Sequence, residues 1–195
     1  GYLNVMPRIK FVHGYQYIIS IENLLLAWQE FKVGKRSRGD VQEFGLKLMA
    51  NIIALHRDLT EKKYAHAPYR AFKIADPKPR DIHKASVRDR IVHRALYRKM
   101  YPFFDRHFVA DSYSCQKRKG AHKALNRFRS FARIVGKNNT RTCWVLKCDI
   151  RKFFANINHG ILIRILERYI FDTDILFLLR GIVGSFNTQG KAGVG

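Results

Sequence analysis

Two stretches of this chain repeat apolar residues at three-to-four spacing while cations take the remaining positions. Val41, Phe44, Leu48, Ile52, Leu55 and Leu59 form the first stripe. Ile91 and Ala95, beside Val92, Leu96, Met100 and Phe103, form the second, with Arg88, Arg90, Arg94 and Arg98 on other faces. A period near 3.6 is satisfied only by a helix that buries one face, so most of the chain must fold as packed helices. Between the stripes the period changes. Tyr69-Arg70-Ala71-Phe72-Lys73-Ile74 alternates like a half-buried strand, Asp76-Pro77-Lys78-Pro79 carries turn residues, and Arg80-Asp81-Ile82-His83-Lys84 reads as the returning strand. A short antiparallel hairpin set among helices makes the fold class α+β.

The other elements follow from local signals. Ser20 can cap a helix from about Ile21 to Phe31, with Leu24, Leu25 and Trp28 on one side. Val33 to Gly39 is a basic loop, and Asp40 with Glu43 forms a D-x-x-E capping box that opens the first stripe. Residues 1–19 show no clear period. Asp111 to Lys119 reads as a polar loop and residues 121–135 as a basic helix. Thr142-Cys143-Trp144-Val145-Leu146-Lys147-Cys148 is β-branched and aromatic, the composition of a strand buried on both faces. Asn158 can cap a helix carrying Leu162, Ile165, Leu166 and Tyr169, and Asp172 or Asp174 a last one from Ile175 to about Val183. Residues 189–195 are Gly-rich and close no element, which reads as a cut chain. There is no internal repeat.

Charge narrows the partners. Of 195 residues, 37 are Lys or Arg and 15 are Asp or Glu, a formal net charge of +22. A hydrophobic fraction of 47% rules out a disordered basic tail, so the charge lies on a folded surface and attracts a polyanion. Nucleic acid is the first candidate, an anionic membrane surface the second and an acidic protein the third. No apolar run is long enough to span a bilayer, and no leader pattern opens the sequence. Cys115, Cys143 and Cys148 form an odd set without C-x-x-C spacing, which fits reduced, buried thiols in a cytoplasmic protein. Cys143 and Cys148 would fall on opposite faces of a strand, so they are poor joint metal ligands.

Three features could carry chemistry. Asp149 ends the apolar 142–148 run, next to Phe153 and Phe154. A carboxylate there needs a cation or a hydrogen-bond network to offset its desolvation, and Mg²⁺ held with substrate phosphates would serve. An Asp capping the next turn, or paired with Arg151 or Lys152, is the plainer alternative. Lys73, Lys78, Arg80 and Lys84 stud the hairpin, where they either hold phosphates or guard a solvated edge. The run Lys117-Arg118-Lys119 is a further basic loop of low specificity. Asp172-Thr173-Asp174 has metal-like spacing, but the apolar helix that follows makes capping the better reading. Phe103, Phe104, Phe128 and Phe131 read as core rather than as base-stacking platforms.

Taken in order, four blocks resemble bacterial reverse transcriptases, most closely those of diversity-generating retroelements. Residues 21–27 followed by Gly34-Lys35-Arg36 are similar to that family's N-terminal segment. Tyr69-Arg70-Ala71-Phe72, Asp76-Pro77-Lys78-Pro79-Arg80 and residues 89–96 are similar to its first fingers block. Residues 111–115 and 119–122 are similar to the second block, and residues 146–154 with Ile157-Asn158-His159 to the first palm motif. The resemblance implies a right-hand polymerase fold. Residues 1–19 would be an N-terminal extension, 20–141 mostly helical fingers with the hairpin, and 142–195 the start of the palm.

The implied activity is copying of an RNA template into cDNA from a primer and deoxynucleotides; an accessory protein is a further candidate partner. Asp149 would be the first metal-binding carboxylate, with the Ile150 main chain near a second Mg²⁺. Lys78 and Arg80 would hold the triphosphate, and Phe154, or else Phe153, would lie under the incoming sugar. Lys73, Lys84, Arg88, Arg90, Arg94, Lys117, Arg118 and Lys119 would follow the nucleic-acid backbone. The family's paired-aspartate hairpin, its nucleotide-pocket motif and its thumb have no counterpart in the sequence. One carboxylate cannot clamp two ions about 4 Å apart, so this stretch alone is expected to be inactive. A group II intron or retron enzyme, and a non-catalytic basic RNA-binding module, are the other readings.

Overall fold

The computed structural model describes residues 10–75, 77 and 79–186. Two compact units are formed, one from residues 1–100 with 152–195 and one from residues 101–151.

The first unit is built on helices α1 (Tyr15–Ile19), α2 (Ile21–Phe31), α3 (Gly39–Leu46) and α4 (Leu48–Thr60). The Ser20 hydroxyl accepts from the Asn23 N–H and so caps α2, which buries Leu24, Ala27, Trp28 and Phe31. Helix α4 buries Ile52, Leu55 and Leu59 from the first apolar stripe. Each such side chain withdrawn from water contributes about 2 kcal/mol. Residues 11–19 join this core, because Phe11, Tyr15, Ile18 and Ile19 are all buried. A five-residue helix is too short to show a period, which is why none was legible.

The expected capping box does not form. Arg38 precedes α3, no side chain caps it, and Asp40 turns instead toward cations on later elements. The single helix read over this stripe is also interrupted. Lys47 leaves helical geometry at φ −117°, ψ 36° and splits it into α3 and α4.

Strands β1 (Arg70–Ala75) and β2 (Pro79–Lys84) pair antiparallel, from Arg70 opposite Lys84 to Ala75 opposite Pro79. The turn residues Asp76 and Lys78 lie outside the described residues. Every residue of β1 is exposed, contrary to the half-buried strand expected. The reason is that the pair stands as a two-stranded sheet, the only sheet among the described residues.

Helix α5 (Val87–Asp105) follows, and its first turns bury Ile91, Val92, Ala95 and Leu96. The Asn23 amide donates to the Ala95 carbonyl at 3.2 Å and ties α2 to α5. After residue 151 the chain makes a 3-10 turn (Phe154–Asn156), α7 (His159–Glu167) and α8 (Thr173–Gly184). Asn158 caps α7 through the Ile161 N–H, as its side chain predicts. Asp172 caps α8 through the N–H groups of Asp174 and Ile175 and also accepts from the Tyr15 N–H at 2.7 Å. Asp174 pairs with Lys62 at 2.5 Å. The two acids are therefore spent on structure, as the capping reading holds.

The second unit contains α6 (Ala121–Val135), at the bounds expected. Gly136 ends it where an added Cβ would lie 2.9 Å from the Ala132 carbonyl, so a side chain there would force the backbone to shift. Residues 101–151 bury no large apolar side chain, and this overturns three expectations. Phe128 and Phe131 are exposed on α6 rather than in a core. The 142–148 segment is not a strand, and Trp144 is 94% exposed. A strand forms only where its backbone pairs with another strand, and this segment has no ladder partner among the described residues. Cys115 and Cys148 are free and exposed, and Cys143 is free and half-buried, so the thiols are not buried as composition suggested. Among the described residues no helix is long and apolar enough to cross a membrane.

Candidate nucleic-acid interface

The hairpin sorts its side chains by parity. Because successive side chains alternate, Arg70, Phe72 and Ile74 share a face with their partners Lys84, Ile82 and Arg80. Lys73 falls on the opposite face with Asp81. The four cations singled out in the sequence therefore do not act together. Arg80 and Lys84 share a face with Arg70, Lys73 does not, and Lys78 lies outside the described residues.

Pairing divides these cations further. Lys84 binds Asp40 at 2.7 Å, and Arg90 binds the same carboxylate at 2.6 Å. Burial raises the Asp40 pKa, but the hydrogen bonds from Lys84 and Arg90 outweigh it and hold the carboxyl below its ordinary value. Arg88 binds Asp58 at 2.8 Å, and Arg94 lies 3.9 Å from Glu30, which also binds Arg98. The arginines of α5 are thus engaged in ion pairs that join it to α2, α3 and α4. Arg70, Lys73 and Arg80 have no such partner among the described residues. A free cation reaches a phosphate without first breaking a protein contact.

Behind the hairpin lies a polar cluster whose role sequence reading missed. Asp89, 0% exposed, accepts from the Tyr64 hydroxyl at 2.8 Å, the Ser86 hydroxyl at 2.6 Å and the Ala67 N–H at 3.2 Å. Ser86 in turn accepts from the Asp89 N–H at 3.1 Å. The signal was present as S-x-x-D ahead of an apolar stripe, an acid-bearing form of the capping box. Burial, then the hydrogen bond to Asp89, raises the Tyr64 phenol pKa strongly. His66 stacks between Tyr69, at 4.8 Å, and His93, at 5.1 Å. The Nε2 atoms of both histidines are buried and have no hydrogen-bond partner. Burial, then the neighbouring His66, lowers His93 to about 4, so its imidazole is neutral at pH 7. This cluster fixes residues 64–69, the connection from α4 into β1, against the start of α5.

Phe153 and Phe154 meet edge to face at 5.4 Å and are both exposed. In the second unit, the Lys117 N–H donates to the Tyr101 hydroxyl at 2.8 Å, and Lys119 donates to the carbonyls of Ala110 and Ser112. Arg118 sits at φ 60° with no partner for its guanidinium among the described residues. Lys119 is thus a staple of its own loop, the Lys117 ammonium lies 5.5 Å from the Tyr101 ring centroid, and Arg118 is the cation of that run without such a contact among the described residues.

Asp149 and Ile150 are exposed. The desolvation argument that singled out Asp149 therefore does not apply, because its carboxylate stays in water. Among the described residues no group of three or more His, Cys, Asp or Glu is placed to hold a metal ion. The described residues alone do not assemble the carboxylates of a two-ion magnesium site. Asp149 belongs to the second unit and the hairpin to the first.

No family model matches the chain. It is 27% identical over 135 residues to protein YkfC of Escherichia coli (strain K12), an alignment covering 68% of this chain and 35% of that protein. It is 26% identical over 166 residues to a putative COX1/OXI3 intron 1 protein of Saccharomyces cerevisiae, covering 82% of this chain and 19% of that protein. The chain thus matches about a third and about a fifth of the lengths of these two relatives. Neither name refers to a diversity-generating retroelement.

Proposed function

We propose that this chain forms the fingers and the opening of the palm of an RNA-directed DNA polymerase of the reverse transcriptase class. The observation that carries the reading is a free-cation hairpin, braced by a buried Asp89 cluster, within a sequence distantly similar to an intron protein. Such a hairpin offers guanidinium and ammonium groups to phosphates at fixed spacing. In this reading Arg80 meets the nucleotide triphosphate together with Lys78, and Arg118 meets the nucleic-acid backbone. Phe153 and Phe154 are the aromatic pair nearest in sequence to Asp149, and Phe154 is the one that meets the sugar.

The finer assignment, to a diversity-generating retroelement, rests on the four collinear sequence blocks. A group II intron or retron enzyme is the alternative within the class. Asp149 is proposed as one metal-binding carboxylate of the complete enzyme. The 195 residues by themselves are proposed to be inactive.

The test is primer extension by the full-length protein on an RNA template with deoxynucleotides. Extension supports the polymerase reading. Salt-sensitive RNA binding without extension would leave the non-catalytic RNA-binding module as the better account.

A further inference from the structure

The hairpin that carries Arg80 stands as a two-stranded sheet among the described residues, so its direction depends on what grips its base. Each face is gripped there by a different means. On the face shared by Arg70, Phe72 and Arg80, Lys84 is held by the Asp40 carboxylate of α3 at 2.7 Å. On the opposite face, His83 meets the ring of Phe186, with centroids 5.4 Å apart and planes at 89°.

Phe186 lies just past α8, which ends at Gly184. The same ring stands edge-on to Tyr69, at 5.4 Å and 82°. Tyr69 immediately precedes β1 and His83 lies near the end of β2, so one phenyl ring bridges the entry and the exit of the hairpin. Behind Tyr69 the row of rings continues through His66 to His93, so Phe186 docks on a ring already fixed against α5. Phe186 is only half-buried and His83 is exposed, so the contact serves the hairpin more than the core. Edge-to-face pairs of this kind are each worth roughly two- to tenfold in an equilibrium. The clamp also takes the face away from Arg80, and the guanidinium side stays open to a ligand.

We propose that Phe186 is a positioning residue: it clamps the base of the hairpin and thereby aims Arg80 at the triphosphate of the incoming nucleotide. The proposal rests on the reading of Arg80 as a triphosphate ligand and adds the residue at the end of α8 that acts through it. Without the ring the hairpin samples other directions, and KM rises by the inverse of the fraction still correctly aimed. A nucleotide once bound reacts as before, so kcat is little changed.

The experiment is primer extension by the full-length protein on an RNA template, with KM and kcat measured for deoxynucleotide. Phe186→Ala should raise KM about fivefold and leave kcat within about twofold. Phe186→Tyr keeps the ring and should keep the KM. Amide hydrogen exchange should quicken in residues 70–84 of Phe186→Ala and stay unchanged in α5, which a general loss of stability would not produce. The factor caused by Phe186→Ala should shrink in the Arg80→Ala background, because the two residues act through one contact. Should the alanine variant not fold, Phe186→Leu, which keeps apolar volume but has no ring edge, should raise KM about threefold. An unchanged KM in these variants while Arg80→Ala raises it overturns the clamp and leaves Arg80 in the triphosphate site, and so does an equal factor in both backgrounds. An unchanged KM in Arg80→Ala, or no extension by the unaltered protein, overturns the underlying reading and this proposal with it.

Discussion

Lowering the pH from 7 to 5 should destabilise the first unit through His93. His93 has an ordinary pKa of 6.5 and is lowered to about 4 in the folded chain, chiefly by burial and then by the adjoining His66. Asp89 and Tyr64 share this cluster, and the Asp89 charge acts in the opposite sense, raising the His93 pKa without reversing the net shift. Because the folded pKa is depressed, the folded state binds fewer protons than the unfolded one. The stability that His93 contributes is full above pH 6.5 and is lost as the pH falls toward 4. By linkage the loss between pH 7 and pH 5 is about 2 kcal/mol. Asp40 is also lowered, but its contribution is lost only at more acid pH, in and below the ordinary carboxylate range. Urea unfolding at pH 7 and pH 5 reads the effect, and His93→Gln, which cannot titrate, supplies the reference. The unaltered protein should lose about 2 kcal/mol more than the variant over that interval. Equal losses would refute the burial argument, as would a His93 ring that titrates at its ordinary pKa by NMR.

Three further outcomes follow from the same contacts. Tyr64→Phe removes one hydrogen bond to the buried Asp89 carboxylate and should cost about 2 kcal/mol in urea unfolding. Asp172→Ala strips the cap from α8 and the partner from the Tyr15 N–H and should cost about 1–2 kcal/mol; a loss near zero would contradict the capping role. In the full-length enzyme, Arg80→Ala should raise the KM for deoxynucleotide with little change in unfolding midpoint, since Arg80 is exposed on β2; an unchanged KM would remove it from the triphosphate site.

Local signals made much of the fold legible. Ser20, Asn158 and Asp172 cap the helices they precede in sequence, and the apolar stripes of α4 and α5 are the ones the packing buries. What escaped the sequence depends on partners far along the chain. Arg88, Arg90 and Arg98 lie 30, 50 and 68 residues from Asp58, Asp40 and Glu30, so no spacing rule reveals that they are already engaged. The 142–148 segment shows the converse. Its β-branched and aromatic residues suit a strand, but propensity cannot supply the neighbouring strand that backbone pairing requires.

The account turns on whether Asp149 belongs to a polymerase centre although its carboxylate stands in water. Primer extension and template affinity of full-length Asp149→Ala, measured side by side, test this most directly. The account predicts that cDNA synthesis disappears while RNA binding and the unfolding midpoint stay as they were. Synthesis that persists in the variant would contradict it.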